Sequence, residues 1–451
     1  MSFNVIDFGA DPTGASNTSA AIQAAINAAS PTNGVVFFPA GTYLVGTTLT
    51  ASGTLRMIGS GRGTVIAGTA NPLLSISYTT AVSGAALSGP RVEELLFRVT
   101  SSNAALTCTA SGYAPATNSS PPVFRDVLFD ASQSANASVY LSTFTYGGNH
   151  IFDGCYWLGY STAVSASTHV SGTLLQGVSS PQFTNCYWLF LNAAVSSTPF
   201  SGNISQSVTM TNCVVQGSVI GISDNGSSGN NYSNILSDNS FQPLVLTSCS
   251  DATVSGGYFG SSLPANNGGA NMTINGNSNR VKIIAAEVEN YNSGNVGVSL
   301  GKGGGNVDQL MMYGVTMGAP SYLHHFDIGD LRESTISADF GGSSSGSPIN
   351  YPTFNPSVTG AVAFRNCPRL TPAGVQTAPT VPGSAVPLVN PFFFDCTVAV
   401  TTGNLGGCVI ALNGVTYTTI PLGQVATIPV LAGQTITLVY GQTPTWAWFA
   451  Q

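Results

Sequence analysis

One recurring pattern constrains this chain more than any other feature. It is an apolar residue, two others, a small or apolar residue, one other, then a large apolar residue. The anchors are Val92/Leu95/Phe97, Phe124/Val127/Phe129, Phe152/Cys155/Trp157, Phe183/Cys186/Trp188 and Met210/Cys213/Val215. They continue as Val254/Gly257/Phe259, Ile283/Ala286/Val288, Met312/Val315/Met317, Thr335/Ala338/Phe340 and Phe364/Cys367. Successive starts lie 32, 28, 31, 27, 44, 29, 29, 23 and 29 residues apart. Short β-rich units at this period, with no amphipathic helix between them, stack as coils of a parallel β-helix, because each unit buries its apolar face only against its neighbours. The 44-residue gap predicts one irregular turn with an insertion within 222–245. The offset of three between the first two anchors marks a corner. Asn185, Asn212 and Asn366 share one place there, and asparagine tolerates such bends and can stack its amides.

An open end of such a solenoid is an exposed sheet edge and needs a cover. The apolar run Ala20–Ala29 predicts a capping helix, with Asn17 and Thr18 as candidate caps. The expected organisation is a cap and first coil over 1–50, a β-helix over 51–370, a Pro/Ala/Thr/Val-rich linker over 371–389 and a small β-sandwich-like domain over 390–451. The class is all-β.

Only 6% of the residues are charged and the net charge is −7. With no basic patch to neutralise a phosphate backbone, nucleic acid is excluded as an expected partner. No apolar run is long enough to insert into a membrane. The first residues, MSFNVIDFGAD, lack the basic and apolar regions of a signal peptide, which argues against a conventionally secreted enzyme. The eight cysteines follow no metal-binding spacing; Cys155, Cys186, Cys213 and Cys367 read as small buried hydrophobes at repeat positions. No cofactor is expected.

Asn4-Val-Ile-Asp-Phe-Gly-Ala-Asp-Pro-Thr-Gly14, Ala20-Ala-Ile-Gln23 and Gly34-Val-Val-Phe-Phe-Pro-Ala-Gly-Thr-Tyr43 resemble the opening of the pectate-lyase-like right-handed β-helix superfamily. The stretch from Asn390-Pro391 to Pro444-Thr-Trp446 resembles the small β-domain that follows phage β-helices. Together they resemble a bacteriophage tailspike. That resemblance implies a parallel homotrimer on the virion tail, attached directly or through an adaptor protein, with glycan-binding grooves on its sides. The implied partner is a bacterial surface polysaccharide of O-antigen or capsule type, met at the host surface. The polygalacturonase-type paired aspartates, Gly-His-Gly and Arg-Ile-Lys motifs are absent, as is an acidic run for calcium, so pectinolysis and a secreted polysaccharide lyase are disfavoured.

Because side chains alternate along a strand, the repeat also yields outward columns. One holds Leu96, Leu128, Tyr156, Tyr187, Val214, Tyr258, Glu287, Thr316 and Asp339; the next holds Glu289. Glu287, Glu289 and Asp339 are the candidate catalytic acids, since inverting glycosidases hold two carboxyls about 6.5–9.5 Å apart. Tyr156, Tyr187 and Tyr258 are candidate glycan platforms, or else residues of a subunit interface. Trp157 and Trp188 point inward. His324, His325, Asp327 and Asp330 form a polar cluster without a metal spacing, while His150 and His169 stand alone. Two functions stay open: an endo-glycosidase that depolymerises its receptor, and a receptor-binding adhesin without hydrolytic activity.

Overall fold

Strands of three residues with only the middle one buried, such as Ile151–Asp153 and Tyr156–Leu158, set the architecture. Each buries one side chain inward and presents its two flanking residues outward, so cohesion has to come from the coils above and below. The computed structural model describes residues 1–53, 55–79, 89–100, 103–111, 121–133, 139–160, 170–261, 269–291, 294–302, 304–318, 321–341, 343–344, 349–350, 362–365, 367, 375–376, 378–392, 394–404 and 406–450. His169 and Asn366 lie outside them.

After the first coil, which carries the helix Ser19–Ala29 in place of a third strand, successive coils build three parallel ladders. The first runs from Ser2–Asn4 through Ile151–Asp153 to Ala363–Phe364, and the second from Thr13–Asn17 through Tyr156–Leu158 to Thr335–Phe340. These two fuse into one 25-stranded sheet, because Met311–Gly318 and Thr335–Phe340 run unbroken through both. The third is a 12-stranded sheet from Leu49–Ser52 to Ile349–Asn350. The corner between the first two ladders is turned by a residue in the left-handed region: Asn185 (φ 53°), Asn212 (φ 53°) and, in other coils, Gly154, Ala285 or Gly314. Asparagine and glycine adopt that region with least strain.

The 44-residue gap is not an irregular turn with an insertion. It holds one further regular coil, Asn231–Ser233 and Leu236–Asp238, whose strands pair in register with the coils on both sides. Its anchors Tyr232 and Ser237 are polar yet buried. The Tyr232 hydroxyl donates to Asp224 Oδ2 (2.7 Å) and the Ser237 hydroxyl to the Pro243 carbonyl (3.3 Å). Asn234 turns the corner of this coil, and its Nδ2 donates to Asn212 Oδ1 (2.8 Å).

Aromatic ladders fill the middle of the core. Phe97, Phe129, Trp157 and Trp188 stack along the axis with centroids 5.7, 5.2 and 4.7 Å apart, and Phe124, Phe152 and Phe183 form a second file at 5.2 and 4.3 Å. Cys155, Cys186 and Cys213 donate their thiols to the carbonyls of Phe124, Phe152 and Phe183 one coil earlier. All eight cysteines are free and buried.

Helix α1 (Ser19–Ala29) covers the N-terminal end with Ile22, Ala25, Ile26 and Ala29 turned to the core. Of the two candidate caps it is Asn17 that bonds the helix, accepting from the Ser19 N–H at 3.1 Å; Thr18 makes no side-chain cap bond. At the other end, two four-stranded antiparallel sheets enclose Val398, Val400, Ile410, Ile428, Leu438 and Trp448. The stretch read as a linker supplies two of their strands, Val375–Gln376 and Pro387–Val389. Val425–Val430 also pairs despite Pro429, because it lies at a sheet edge, where a missing N–H is tolerated.

Candidate functional site

The outward column of the second ladder changes character along the axis. In the early coils Leu44, Val65, Ala67, Leu96 and Leu128 pack together into a covered apolar strip outside the core. Tyr156 and Tyr187 follow, stacked on each other at 4.5 Å with planes 5° apart. The Arg62 guanidinium, from three rungs earlier, lies 4.5 Å over the Tyr156 ring. Both faces of Tyr156 are therefore occupied, and no sugar ring can stack there. Tyr258 stands apart from this pair, with Val214 and Leu236 between them in register.

Beyond the tyrosine stack the surface opens. Val214, Leu236, Tyr258 and Glu287 succeed one another along the column. Together with Asn212 and Asn234 at the corner they line a groove of about 470 Å³, a size usual for ligand sites. It runs along the axis over four coils, roughly 14 Å at a rung spacing of about 4.8 Å. Leu236 is 43% exposed on its floor.

One end of the groove is acidic. Glu289 lies on its strand between the rungs of Gly260 and Gly318. A Cβ at Gly318 would come within 2.8 Å of Glu289 Oε1, so glycine there leaves the carboxylate its space. Glu289 Oε2 accepts from the Tyr258 hydroxyl (2.8 Å) and from the Tyr291 hydroxyl. Burial, reinforced by this bonding, raises the Tyr258 phenol, and bonding to Glu289 raises that of Tyr291, so both remain donors. Glu287 reaches solvent, yet partial desolvation, followed by the Glu289 charge and a hydrogen bond between the two carboxyls, lifts its pKa above the usual value. Glu289 thus lies under two phenol donors, with Glu287 beside it at the groove wall.

Retaining glycosidases set their carboxyls about 5–5.5 Å apart and inverting ones about 6.5–9.5 Å; Glu287 and Glu289 are two residues apart on one strand face, with Glu289 already engaged by two phenols. Asp339 is exposed and lies two rungs from Glu287, with Thr316 between, roughly 10 Å along the backbone.

The histidine–aspartate cluster is dispersed. His325 is buried with Nε2 on the Gly341 carbonyl (3.0 Å), Asp327 pairs with Lys302 (2.8 Å) and Asp330 with Arg332 (2.7 Å). Among the described residues no three His, Cys, Asp or Glu side chains converge as a metal site. Sequence reasoning missed Asn234 and Leu236, which lie in the hidden coil, and Tyr291. The last was within reach, since positions 287, 289 and 291 alternate onto one face.

Residues 2–147 match the family model described as rhamnogalacturonase A/epimerase, pectate lyase-like. The fold is the pectate-lyase-like parallel β-helix. A tailspike protein of Pseudomonas phage LKA1 shares this β-helix with a TM-score of 0.53 at 12% identity, covering 99% of both chains. Tailspike protein 3 of bacteriophage CBA120 superposes with a TM-score of 0.51 at 12% identity, over 85% of this chain. The chain spans 65% of the length of that second protein. No curated relative matches at the sequence level.

Proposed function

We propose that this β-helix is a phage tailspike that holds bacterial surface polysaccharide in the groove from Val214 to Glu287 during adsorption to the host. The observation that carries the reading is the make-up of that groove. An apolar floor, two corner amides and an acid at one end complement the C–H faces and hydroxyls of a sugar chain, and the groove lies along the side of the solenoid, open to a polymer. The tailspikes that share the fold support it. Self-association into a homotrimer belongs to the same proposal. The edge strands Val415–Ile420 and Val425–Val430 expose Val415, Tyr417 and Val425. No charged residue follows Asp395 in the chain, so these edges lack the charges that normally discourage pairing. A virion location, through the tail or an adaptor, follows from the tailspike reading.

Purified protein titrated with O-antigen and capsular polysaccharides tests the site. Leu236→Trp, which fills the groove floor, is expected to weaken binding at least about tenfold, or about 1.4 kcal/mol. Tyr156→Ala, outside the groove, should leave it within about twofold, a change of roughly 0.4 kcal/mol. Equal affinity of Leu236→Trp and wild type would remove the groove from the proposal.

Hydrolysis is a second reading, favoured by the raised pKa of Glu287 and by Asp339 two rungs away, where a carboxylate can activate water. Sizing of polysaccharide fragments decides it. Oligosaccharides released by wild type but not by Glu287→Gln or Asp339→Asn establish cleavage at this site. Intact, bound polymer leaves an adhesin.

A further inference from the structure

Building on the polysaccharide reading of the groove, we infer that its ligand is an uncharged stretch of sugar chain and that polymers carrying uronate, sialate or phosphate groups are rejected. The charges around the groove all have one sign. Glu287 lines it and Glu289 lies behind Glu287 on the same strand. Asp238, two residues beyond Leu236, is close enough for its charge to act on Tyr258 and Tyr291.

Among the described residues, no lysine or arginine lines the groove to offset them. Arg280 is held by both carboxylate oxygens of Asp251 at 2.6 and 2.7 Å. Lys282 sits on the first ladder, beyond the Ala285 corner, with its charge acting on Asp251. Arg62 lies over the Tyr156 ring, outside the groove. Arg98, Arg125, Lys302, Arg332 and Arg365 are each paired with a carboxylate elsewhere. An acidic sugar entering the groove would shed water beside like charges and, among the described lining residues, meet no guanidinium or ammonium, and an unpaired charge is costly to desolvate.

An uncharged pyranose meets a matched surface instead. Its apolar face covers Val214 and Leu236, and its hydroxyls find the Asn212 and Asn234 amides, each able to donate and accept.

The probes are two sets of purified polysaccharides: hexose and deoxyhexose O-antigens without charged substituents, and capsular polymers bearing uronate or phosphate. Wild type is expected to bind members of the first set with affinity changing less than about twofold between low and high salt, because no ion pair is there to screen. Acidic polymers should bind at least about tenfold more weakly, with the deficit shrinking as salt rises. Leu236→Lys, at a solvent-exposed floor position, should reverse the preference and capture acidic polymers. Wild-type binding of acidic polymers that exceeds the uncharged set, weakens with salt and is lost in Leu236→Trp would overturn the inference while keeping the groove. Binding to neither set, or binding that survives Leu236→Trp, would instead overturn the polysaccharide reading of this groove, and the inference with it.

Discussion

Trp157→Ala should destabilise the β-helix by about 3–5 kcal/mol, the range for emptying a large buried aromatic site. Trp157 is fully buried, lies in parallel between Phe129 (5.2 Å) and Trp188 (4.7 Å), and donates its indole N–H to Ser142 Oγ at 2.9 Å. Alanine leaves a void that the neighbouring coils cannot close, because both are held in register by their own backbone pairing. In a solenoid each repeat is stabilised chiefly through its two interfaces, and this side chain serves both. Trp157→Phe keeps the stack and loses mainly the hydrogen bond, a cost of about 1 kcal/mol. Tyr156→Ala removes an equally stacked ring, but on the solvent side, where such a pair contributes about 0.5–1.5 kcal/mol. Denaturant unfolding of the three variants checks the order. Losses as large for Tyr156→Ala as for Trp157→Ala would mean that the inner file is not what holds successive coils together.

The same comparison shows which parts of the fold could be read from the chain. Period and corner were legible because large apolar anchors repeat with a constant offset, and stacking alone can bury them. The coil at Tyr232 was not legible, since two of its inward positions are polar. Their burial depends on partners such as Asp224 and the Pro243 carbonyl, which sequence spacing does not reveal. The strands of 371–389 were hidden for a related reason: two- and three-residue pairings at a sheet edge carry no pattern of their own.

At the candidate site, alternation along the strand sufficed to put Glu287 and Glu289 on one face. It could not show Glu289 held under two phenols, because that depends on glycines at neighbouring rungs and on the hydroxyls of Tyr258 and Tyr291. Nor could it show that Tyr156 is covered on both faces, since the covering Arg62 comes from a turn three rungs away. Column membership is a property of the repeat, whereas accessibility is a property of the loops that leave it.

His150, which stands alone in the sequence, gives the second large expected effect: stability that falls as pH drops from 6.5 towards 4.5. The ring is wholly buried against Phe144 and Phe152, with Nε2 3.0 Å from the Tyr78 hydroxyl. Burial lowers its pKa to about 3. Above the ordinary histidine value both folded and unfolded chains carry it neutral, and its contribution is complete. Below that value the unfolded chain takes up a proton that the folded chain refuses until about pH 3, so unfolding gains up to about 1.4 kcal/mol per pH unit. His325, also lowered by burial, acts in the same direction. Asp11, lowered to about 2 by its bonds to Thr13 and Ser16, loses its contribution only further into acid. Glu287, raised above the ordinary glutamate value, acts in the opposite direction in the window between pH 6.5 and 4.5, so the difference between wild type and a His150 variant is what isolates the imidazole. His150→Gln is expected to be less stable than wild type at pH 7.5, because the aromatic cage is fitted to a ring, yet to show a flatter decline through that window. Denaturant midpoints at pH 7.5, 6.5, 5.5 and 4.5 measure both. A wild type and a variant that decline in parallel would show that His150 takes up its proton in the folded chain, and that the cage does not hold it neutral.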